Sequence, residues 1–169
     1  MNFNVGDKVV YPNHGVGTIE NISSRAFAGQ FERYYFLRLS SKSLTVMVPF
    51  SHAGEIGLRK VTRNGELARV LDFLADGRCR RYHDWKDRFK ENTERMRQGS
   101  LLSVAEVLKG LLVLQSQKVL SFREKKMLDR ARHMLTTELS TSRAMNESEA
   151  AGLLEKSLVK AQLHLPEPL

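Results

Sequence analysis

The pattern of hydrophobic and polar positions changes once along the chain, close to residue 63. Before that point, apolar and polar residues alternate in short runs bounded by Gly, Pro, Asn and Ser, a pattern typical of β-strands. After it, apolar residues recur every three or four positions, as they do on the buried face of an α-helix. The strands are predicted at residues 8–11, 16–23, 31–39, 44–48 and 56–61.

The helical half contains five amphipathic segments, each with its own apolar stripe. The residues expected to face inward are Leu67, Val70, Leu71 and Leu74; Tyr82, Trp85, Phe89 and Met96; Leu101, Ala105, Leu108, Leu111 and Leu112; Met127, Leu128, Ala131, Met134, Leu135 and Leu139; and Leu153, Leu154 and Leu158. Ser100, Ser121 and Asn146 precede the last three segments as N-caps, and Glu124 completes a capping box with Ser121.

These two patterns predict the fold class α+β, with two domains in one chain. Short antiparallel strands at this spacing indicate an N-terminal Tudor/SH3-like small β-barrel, and the rest indicates a compact all-α helical bundle. The predicted boundaries are 1–63 for the barrel and 64–162 for the helical domain. Residues 163–169 contain two prolines and are predicted to be a frayed tail.

The fourth predicted strand has the features of a sheet edge. Leu44, Val46 and Val48 share one face, which leaves Thr45 and Met47 on the other. The proline that follows suits an edge strand because it has no N–H to donate. An outward Met47 could simply cover a flank of the barrel, which the pattern alone favours, or the edge could accept a strand from a partner.

Charge suggests the chemistry of a partner. The 169 residues carry a net charge of +8, divided as +4 in residues 1–70, +6 in 71–143 and −2 in 144–169. A basic excess in the middle of a chain favours a polyanionic partner. With no signal-peptide pattern and no apolar run long enough to cross a bilayer, we expect a cytoplasmic protein with no membrane partner.

No constellation of residues indicates catalysis. The five histidines lack metal-ligand spacing, Gly15-Val16-Gly17 lacks the third glycine of a dinucleotide loop, and a single cysteine excludes an internal disulfide. We therefore expect that the protein is not an enzyme and that it binds no cofactor, metal ion or small-molecule substrate. Cys79 lies among Arg78, Arg80 and Arg81, which are expected to lower its pKa, although a lone cysteine is most often a bystander.

Trp85 is the only tryptophan, and it lies in a basic segment with Lys86, Arg88 and Lys90. One interpretation is a nucleic-acid surface, with the ring inserted at a base step and the cations on phosphates. The other is a core anchor beside Phe89, flanked by solvated charges, which helical spacing alone favours. The pattern by itself indicates a basic two-domain binding protein.

Several motifs resemble the CarD/CdnL family of bacterial RNA polymerase-binding transcription regulators. The opening Phe3-Asn4-Val5-Gly6-Asp7-Lys8-Val9-Val10-Tyr11-Pro12-Asn13-His14-Gly15-Val16-Gly17 is similar to the family signature, as are segments 44–49, 56–61, 85–92 and 121–128. The resemblance covers nearly the whole chain. It implies a Tudor-like domain that binds the β-subunit lobe of RNA polymerase, a module shared with transcription-repair coupling factors, and a helical domain that contacts promoter DNA.

Residue roles follow from the same resemblance. The polymerase-binding residues are expected to be Arg25, Thr45, Val46, Met47 and Val48; some family members have arginine in place of Met47, so an apolar contact is expected there. Trp85 falls on the tryptophan that enters the minor groove at the upstream edge of the transcription bubble, and Lys90 and Lys125 fall on positions near the phosphate backbone. From the basic pattern, Lys86, Arg88 and Arg123 complete the expected DNA-binding set, although Arg88 could instead serve packing.

The expected function is stabilisation of the promoter open complex by a monomer tethered to polymerase and, through it, to the nucleoid. One alternative is a freestanding, nucleoid-type protein that binds duplex DNA without sequence preference. Another is an RNA- or ribosome-associated factor, which the low charge of residues 1–70 disfavours.

Overall fold

The computed structural model of the protein describes residues 2–40, 43–79 and 84–169, and the chain divides into two compact units, Met1–Val61 and Thr62–Leu169. The strands are β1 (Lys8–Tyr11), β2 (Gly15–Phe27), β3 (Gln30–Leu39), β4 (Leu44–Pro49) and β5 (Arg59–Lys60). The helices are α1 (Phe50–Ile56), α2 (Asn64–Asp76), α3 (Trp85–Gln98), α4 (Leu101–Gln115), α5 (Phe122–Arg143) and α6 (Glu147–Lys160). The predicted class, α+β with a small β unit before an all-α unit, is confirmed.

The five strands form one antiparallel sheet in the order β4-β3-β2-β1-β5. The chain runs as a meander through β1 to β4, and β5 then returns to pair with β1, as in SH3-like barrels. Strand β2 is longer than predicted, because Ala26 and Phe27 pair with β3 instead of forming a loop. The hairpin turns at Ala28 and Gly29, which both have positive φ.

The segment after β4 differs from the prediction. A strand was expected at residues 56–61, but α1 occupies part of that range and β5 has only two residues. Pro49 fixes an extended backbone at the N-cap of α1, and Gly57 ends the helix with a φ of 83°. The proline and the glycine thus delimit a helix that buries Ala53 in the core of the sheet unit.

Tyr35 is the centre of the sheet unit's core. Its side chain is 1% exposed, and its hydroxyl accepts a hydrogen bond of 3.2 Å from the backbone N–H of Phe3. The Phe50 ring stacks on the Tyr35 ring at 4.1 Å, and the Phe3 ring meets it edge-on at 5.5 Å. This single residue therefore ties the N-terminal segment and α1 to the sheet.

The core of the helical unit is built from α2, α4, α5 and α6, to which α3 adds Met96. Most residues predicted to face inward are buried, including all five from α4. The caps Ser100, Ser121 and Asn146 are confirmed, each accepting a hydrogen bond from the backbone N–H three residues later. Tyr82 lies outside the described residues, and so does the side chain of Trp85.

The first residue of the helical unit is fixed to the C-terminal third of α5. The backbone N–H of Thr62 donates to Glu138 Oε2 over 2.8 Å, and the Thr62 hydroxyl bonds to the same oxygen. Ser142 donates its hydroxyl hydrogen to the Thr62 carbonyl oxygen over 2.6 Å. Both Thr62 and Glu138 are buried, so the start of the unit is held by a polar cluster shielded from water.

The C-terminal segment departs from the expected frayed tail at two residues. Leu163 is buried, its N–H donates to the Leu158 carbonyl oxygen over 3.0 Å, and it packs with the helical core. Leu165 is partly buried against the same core. None of the helices in the described ranges has the length and apolar character needed to span a bilayer.

We predict that Tyr35→Phe destabilises the sheet unit by about 1–2 kcal/mol, because the buried N–H of Phe3 loses its acceptor while the ring packing remains. Tyr34→Phe is the matched control, since Tyr34 is half-buried and its hydroxyl makes no hydrogen bond to the described residues. Urea unfolding followed through amide resonances of β2 and β3 measures both variants. Equal effects of the two substitutions would contradict the role given to the Tyr35 hydroxyl.

Candidate functional site

The outer face of the sheet brings Arg25 and Met47 together through Phe36. Met47 is paired with Phe36 across β4 and β3, and its side chain is 45% exposed. The Arg25 guanidinium lies over the Phe36 ring, 5.7 Å from its centroid. Arg25, Phe36 and Met47 thus form a strip across β2, β3 and β4. The sequence pattern did not indicate that Phe36 belongs to it.

Strand β4 is an edge of the sheet, because within the described ranges it pairs only with β3. Its side chains divide as the two-residue period predicts. Thr45 and Met47 point outward, whereas Val48 is buried and Val46 packs against the core. The two valines can therefore contribute only backbone groups or a partly covered flank to a partner, whereas Thr45 and Met47 can also contribute side chains.

A polar row accompanies the apolar strip. Glu20 accepts a hydrogen bond from Arg38 Nη1 and another from the Thr45 hydroxyl, each at 3.4 Å. All three residues are exposed, so these contacts add little stability. Near the β4 edge, the surface thus carries a carboxylate, a guanidinium and an exposed hydroxyl.

The first two turns of α3 carry two exposed cations. Asp84 caps the helix by accepting a hydrogen bond of 3.1 Å from the N–H of Lys86. Trp85 is the first helical residue, and Lys86 and Lys90 are exposed one and five positions later. The backbone therefore places the tryptophan position beside two cations with no acidic partner among the described residues.

Arg88 has a different environment from these lysines. Its Nε donates to Glu124 Oε2 over 2.9 Å, and the two side chains are only 12% and 5% exposed. Of the two roles expected for Arg88, DNA contact and packing, this ion pair favours packing, since it joins α3 to the start of α5. Glu124 also bonds to its own N-cap, Ser121.

The start of α5 completes the basic surface. Arg123 is exposed and lies over the Phe89 ring of α3 at 4.6 Å, which brings it close to Lys86 and Lys90. Lys125 is half-buried. Phe122 is 64% exposed beneath the Lys126 amine, and the sequence pattern did not indicate this exposed ring.

A polar cavity of about 190 Å³ lies between the end of α2, α3 and α4. The polar residues that line it are Arg78, Cys79, Arg88, Asn92, Arg95 and Glu106. Burial raises the pKa of the Cys79 thiol, against the opposing charge of Lys109. The expected lowering of the pKa of Cys79 is therefore wrong, since desolvation outweighs the nearby cations; Arg80 and Arg81 lie outside the described residues.

Lys109 was not singled out in the sequence, where it appears as one cation within an apolar run. It is buried, and its Nζ donates to the carbonyl oxygens of Phe73 at 2.8 Å and Gly77 at 2.6 Å. The amine thereby caps the last turn of α2. Desolvation lowers the pKa of Lys109. Across the part of the chain that the structure describes, no group of three or more His, Cys, Asp or Glu residues is arranged to hold a metal ion.

Comparison with known proteins gives matches to both units. The family described as "CarD-like/TRCF RID domain" matches residues 3–62, and "CarD, C-terminal domain" matches residues 69–155. A protein of Bacillus subtilis (strain 168), named "Putative transcription factor YdeB", is 35% identical over 147 residues, which cover 87% of this chain and 96% of the relative.

Two solved structures from Myxococcus xanthus resemble the sheet unit. The structure named CdnLNt is 38% identical over 36% of this chain and 86% of its own, with a TM-score of 0.32. The 72-residue N-terminal domain of CarD is 39% identical over 35% of this chain and 79% of its own, with a TM-score of 0.31. The family matches and the Bacillus relative together show that this chain belongs to the CarD/CdnL family of transcription regulators.

Proposed function

We propose that the protein binds the β-subunit lobe of RNA polymerase through its sheet unit and stabilises the promoter open complex through its helical unit. The observation that carries the first half is the strip of Arg25, Phe36 and Met47 beside the open β4 edge. A sheet edge offers unpaired backbone groups to a partner strand, and the strip offers an apolar contact beside a cation. Membership of a family with a CarD-like/TRCF RID domain supports polymerase as this partner.

The helical unit supplies the contact with promoter DNA in this proposal. Lys86, Lys90 and Arg123 are exposed on adjoining turns of α3 and α5, with the half-buried Lys125 behind them. Their charges suit the phosphate backbone, which positions a protein on DNA without specifying sequence. Trp85 begins the same helix, so a wedge at this position enters DNA next to the cations that hold it.

The tryptophan opposes re-closure of the upstream fork. One base step of duplex DNA contributes about 1.4 kcal/mol of stacking. A wedge that offsets one step shifts the balance between open and closed complexes by about tenfold. Because the two units belong to one chain, binding to polymerase raises the local concentration of the helical unit at the promoter, so base-specific contacts are not needed.

The polymerase contact is tested by Arg25→Glu in the full chain, with binding to a β-lobe fragment measured by calorimetry. We expect affinity to fall by tenfold or more, because charge reversal at Arg25 disrupts the strip. Lys60→Glu makes the same change on β5, at the opposite end of the strand order, and should bind normally. Loss of binding in both variants would indicate a general charge effect, and a folded protein that binds DNA but never the lobe would favour the freestanding alternative.

The wedge is tested by Trp85→Ala in an open-complex lifetime assay. The expected result is a lifetime shortened by up to about tenfold with unchanged affinity for the β lobe, because only the stacking contribution is removed. Trp85→Phe, which retains a smaller ring, should give an intermediate lifetime. A folded Trp85→Ala protein with the wild-type lifetime would remove this residue from the mechanism.

The different environments of Arg88 and Lys90 generate a paired prediction. Lys90→Gln should weaken DNA binding and reduce the slope of log K against log salt by about 0.9, because one phosphate contact is lost, without changing stability. Arg88→Gln should instead destabilise the helical unit by about 3–5 kcal/mol, because Glu124 is left buried without its cation. Salt titrations and thermal unfolding of both variants distinguish these outcomes, and the reverse pattern would exchange their roles.

A further inference from the structure

The cavity between the end of α2, α3 and α4 is lined by a buried side chain that makes no hydrogen bond to the described residues. The Asn92 side chain is 3% exposed and lines the cavity, yet it makes no hydrogen bond to any residue that the structure describes. Its amide atoms are not completely enclosed by protein, so their available partner is whatever occupies the cavity, either water or a ligand.

Arg88 adds further donors one helical turn before Asn92. Its Nε is used by Glu124, but its two terminal nitrogens make no contact with the described residues, although the side chain is only 12% exposed and lines the same cavity. Arg78 is exposed and lines it from the end of α2, also without an acidic partner in the described ranges. Three side chains on two segments therefore direct unused donors to one space.

The other residues that line the cavity do not add a negative charge that would repel an anion. Glu106 is the acidic residue of the lining, and its carboxylate lies 3.3 Å from Arg95 Nε, which neutralises it. Burial raises the pKa of Cys79, so its thiol is uncharged at neutral pH. An uncharged thiol, a neutralised carboxylate and several unused donors make a site for an anion.

The volume limits the size of that anion. About 190 Å³ corresponds to roughly six water molecules at about 30 Å³ each. This space suits a phosphate group with a small organic substituent. A carboxylate has two acceptor oxygens, whereas a phosphate group has enough acceptor oxygens to bind the Asn92 amide, Arg88 and Arg78 at the same time.

We propose that this cavity binds a small phosphate-bearing anion, held by Asn92 and Arg88 with Arg78 at its mouth. The proposal goes beyond the function proposed above. α3 packs chiefly on α4, so a ligand shared between Asn92 and Arg78 connects α3 to the end of α2. Binding of the anion thereby fixes the position of α3, the helix that begins at Trp85. The cavity would then regulate the position of the cations proposed to contact DNA.

Cys79 provides a specific reporter, because it is the only cysteine of the chain and lines the cavity. The rate at which a disulfide reagent modifies Cys79 in the full-length protein is measured with increasing inorganic phosphate, at ionic strength held constant with chloride. We expect a saturable decrease, reaching about tenfold at a phosphate concentration ten times the dissociation constant. Amide resonances of Cys79, Arg88 and Asn92 should shift with the same midpoint.

Variants of the lining residues show whether protection of Cys79 requires phosphate bound in the cavity. Asn92→Leu should abolish protection, because an apolar side chain of similar size removes the amide donor, and the thermal midpoint measured without phosphate shows whether the variant is folded. Arg78→Gln, at an exposed position, should weaken phosphate several-fold without affecting folding and serves if Asn92→Leu does not fold. Arg69→Gln, a matched change on an exposed face of α2, should leave protection intact.

Protection that does not saturate, or that persists equally in Asn92→Leu and Arg78→Gln, would overturn the proposal. A short DNA duplex distinguishes the source of the phosphate. If the duplex protects Cys79 and inorganic phosphate does not, the cavity receives a backbone phosphate and the small-anion site is rejected. Because the assay contains no polymerase, its outcome does not depend on the proposed role in initiation.

Discussion

The nearly buried ion pair between Arg88 and Glu124 fixes α3, which packs chiefly on α4, to the start of α5. Among the side chains of α3 that the structure describes, Met96 is the only apolar one that is fully buried, so hydrophobic packing alone gives this helix little anchorage. The pair is nearly buried and lies at the start of α5, where Glu124 is also fixed by its N-cap. A buried pair adds less net stability than apolar packing, but removing either partner is costly. It therefore favours one position of α3, and with it one position of the cations on that helix.

The sheet and the helical unit present different kinds of surface, and this difference supports the two binding roles proposed for them. The sheet exposes a strip in which apolar area and a single cation lie beside unpaired backbone, which suits a protein partner. The helical unit exposes cations on adjoining turns of two helices, which suits a polyanion. A transcription regulator that joins a protein to DNA requires one surface of each kind.

Features with local causes could be predicted from the sequence, and features that depend on distant residues could not. The caps and apolar stripe of α4 follow from residues within one helix, and its burial is as expected. α1 was missed because seven residues are too few for a helical period to be recognised between a proline and a glycine. The direction of the pKa shift of Cys79 was predicted wrongly because neighbouring arginines are visible in sequence, whereas burial is not. Phe36 escaped notice for the same reason, since sheet register gives it its place, and the burial of Asn92 by tertiary packing is likewise not visible in the sequence.

The polar cluster at Thr62 has a mechanical consequence. Thr62 is the first residue of the helical unit and is bonded to Glu138, whereas Glu124, at the other end of the same helix, holds α3. Fourteen residues of continuous helix separate the two acids, a span of about 21 Å. The length of α5 therefore sets the distance between Thr62, where the helical unit begins, and the Arg88–Glu124 pair that fixes α3. A one-residue deletion within α5 would shorten this span by about 1.5 Å and rotate its two ends relative to each other by about 100°, since one turn takes 3.6 residues.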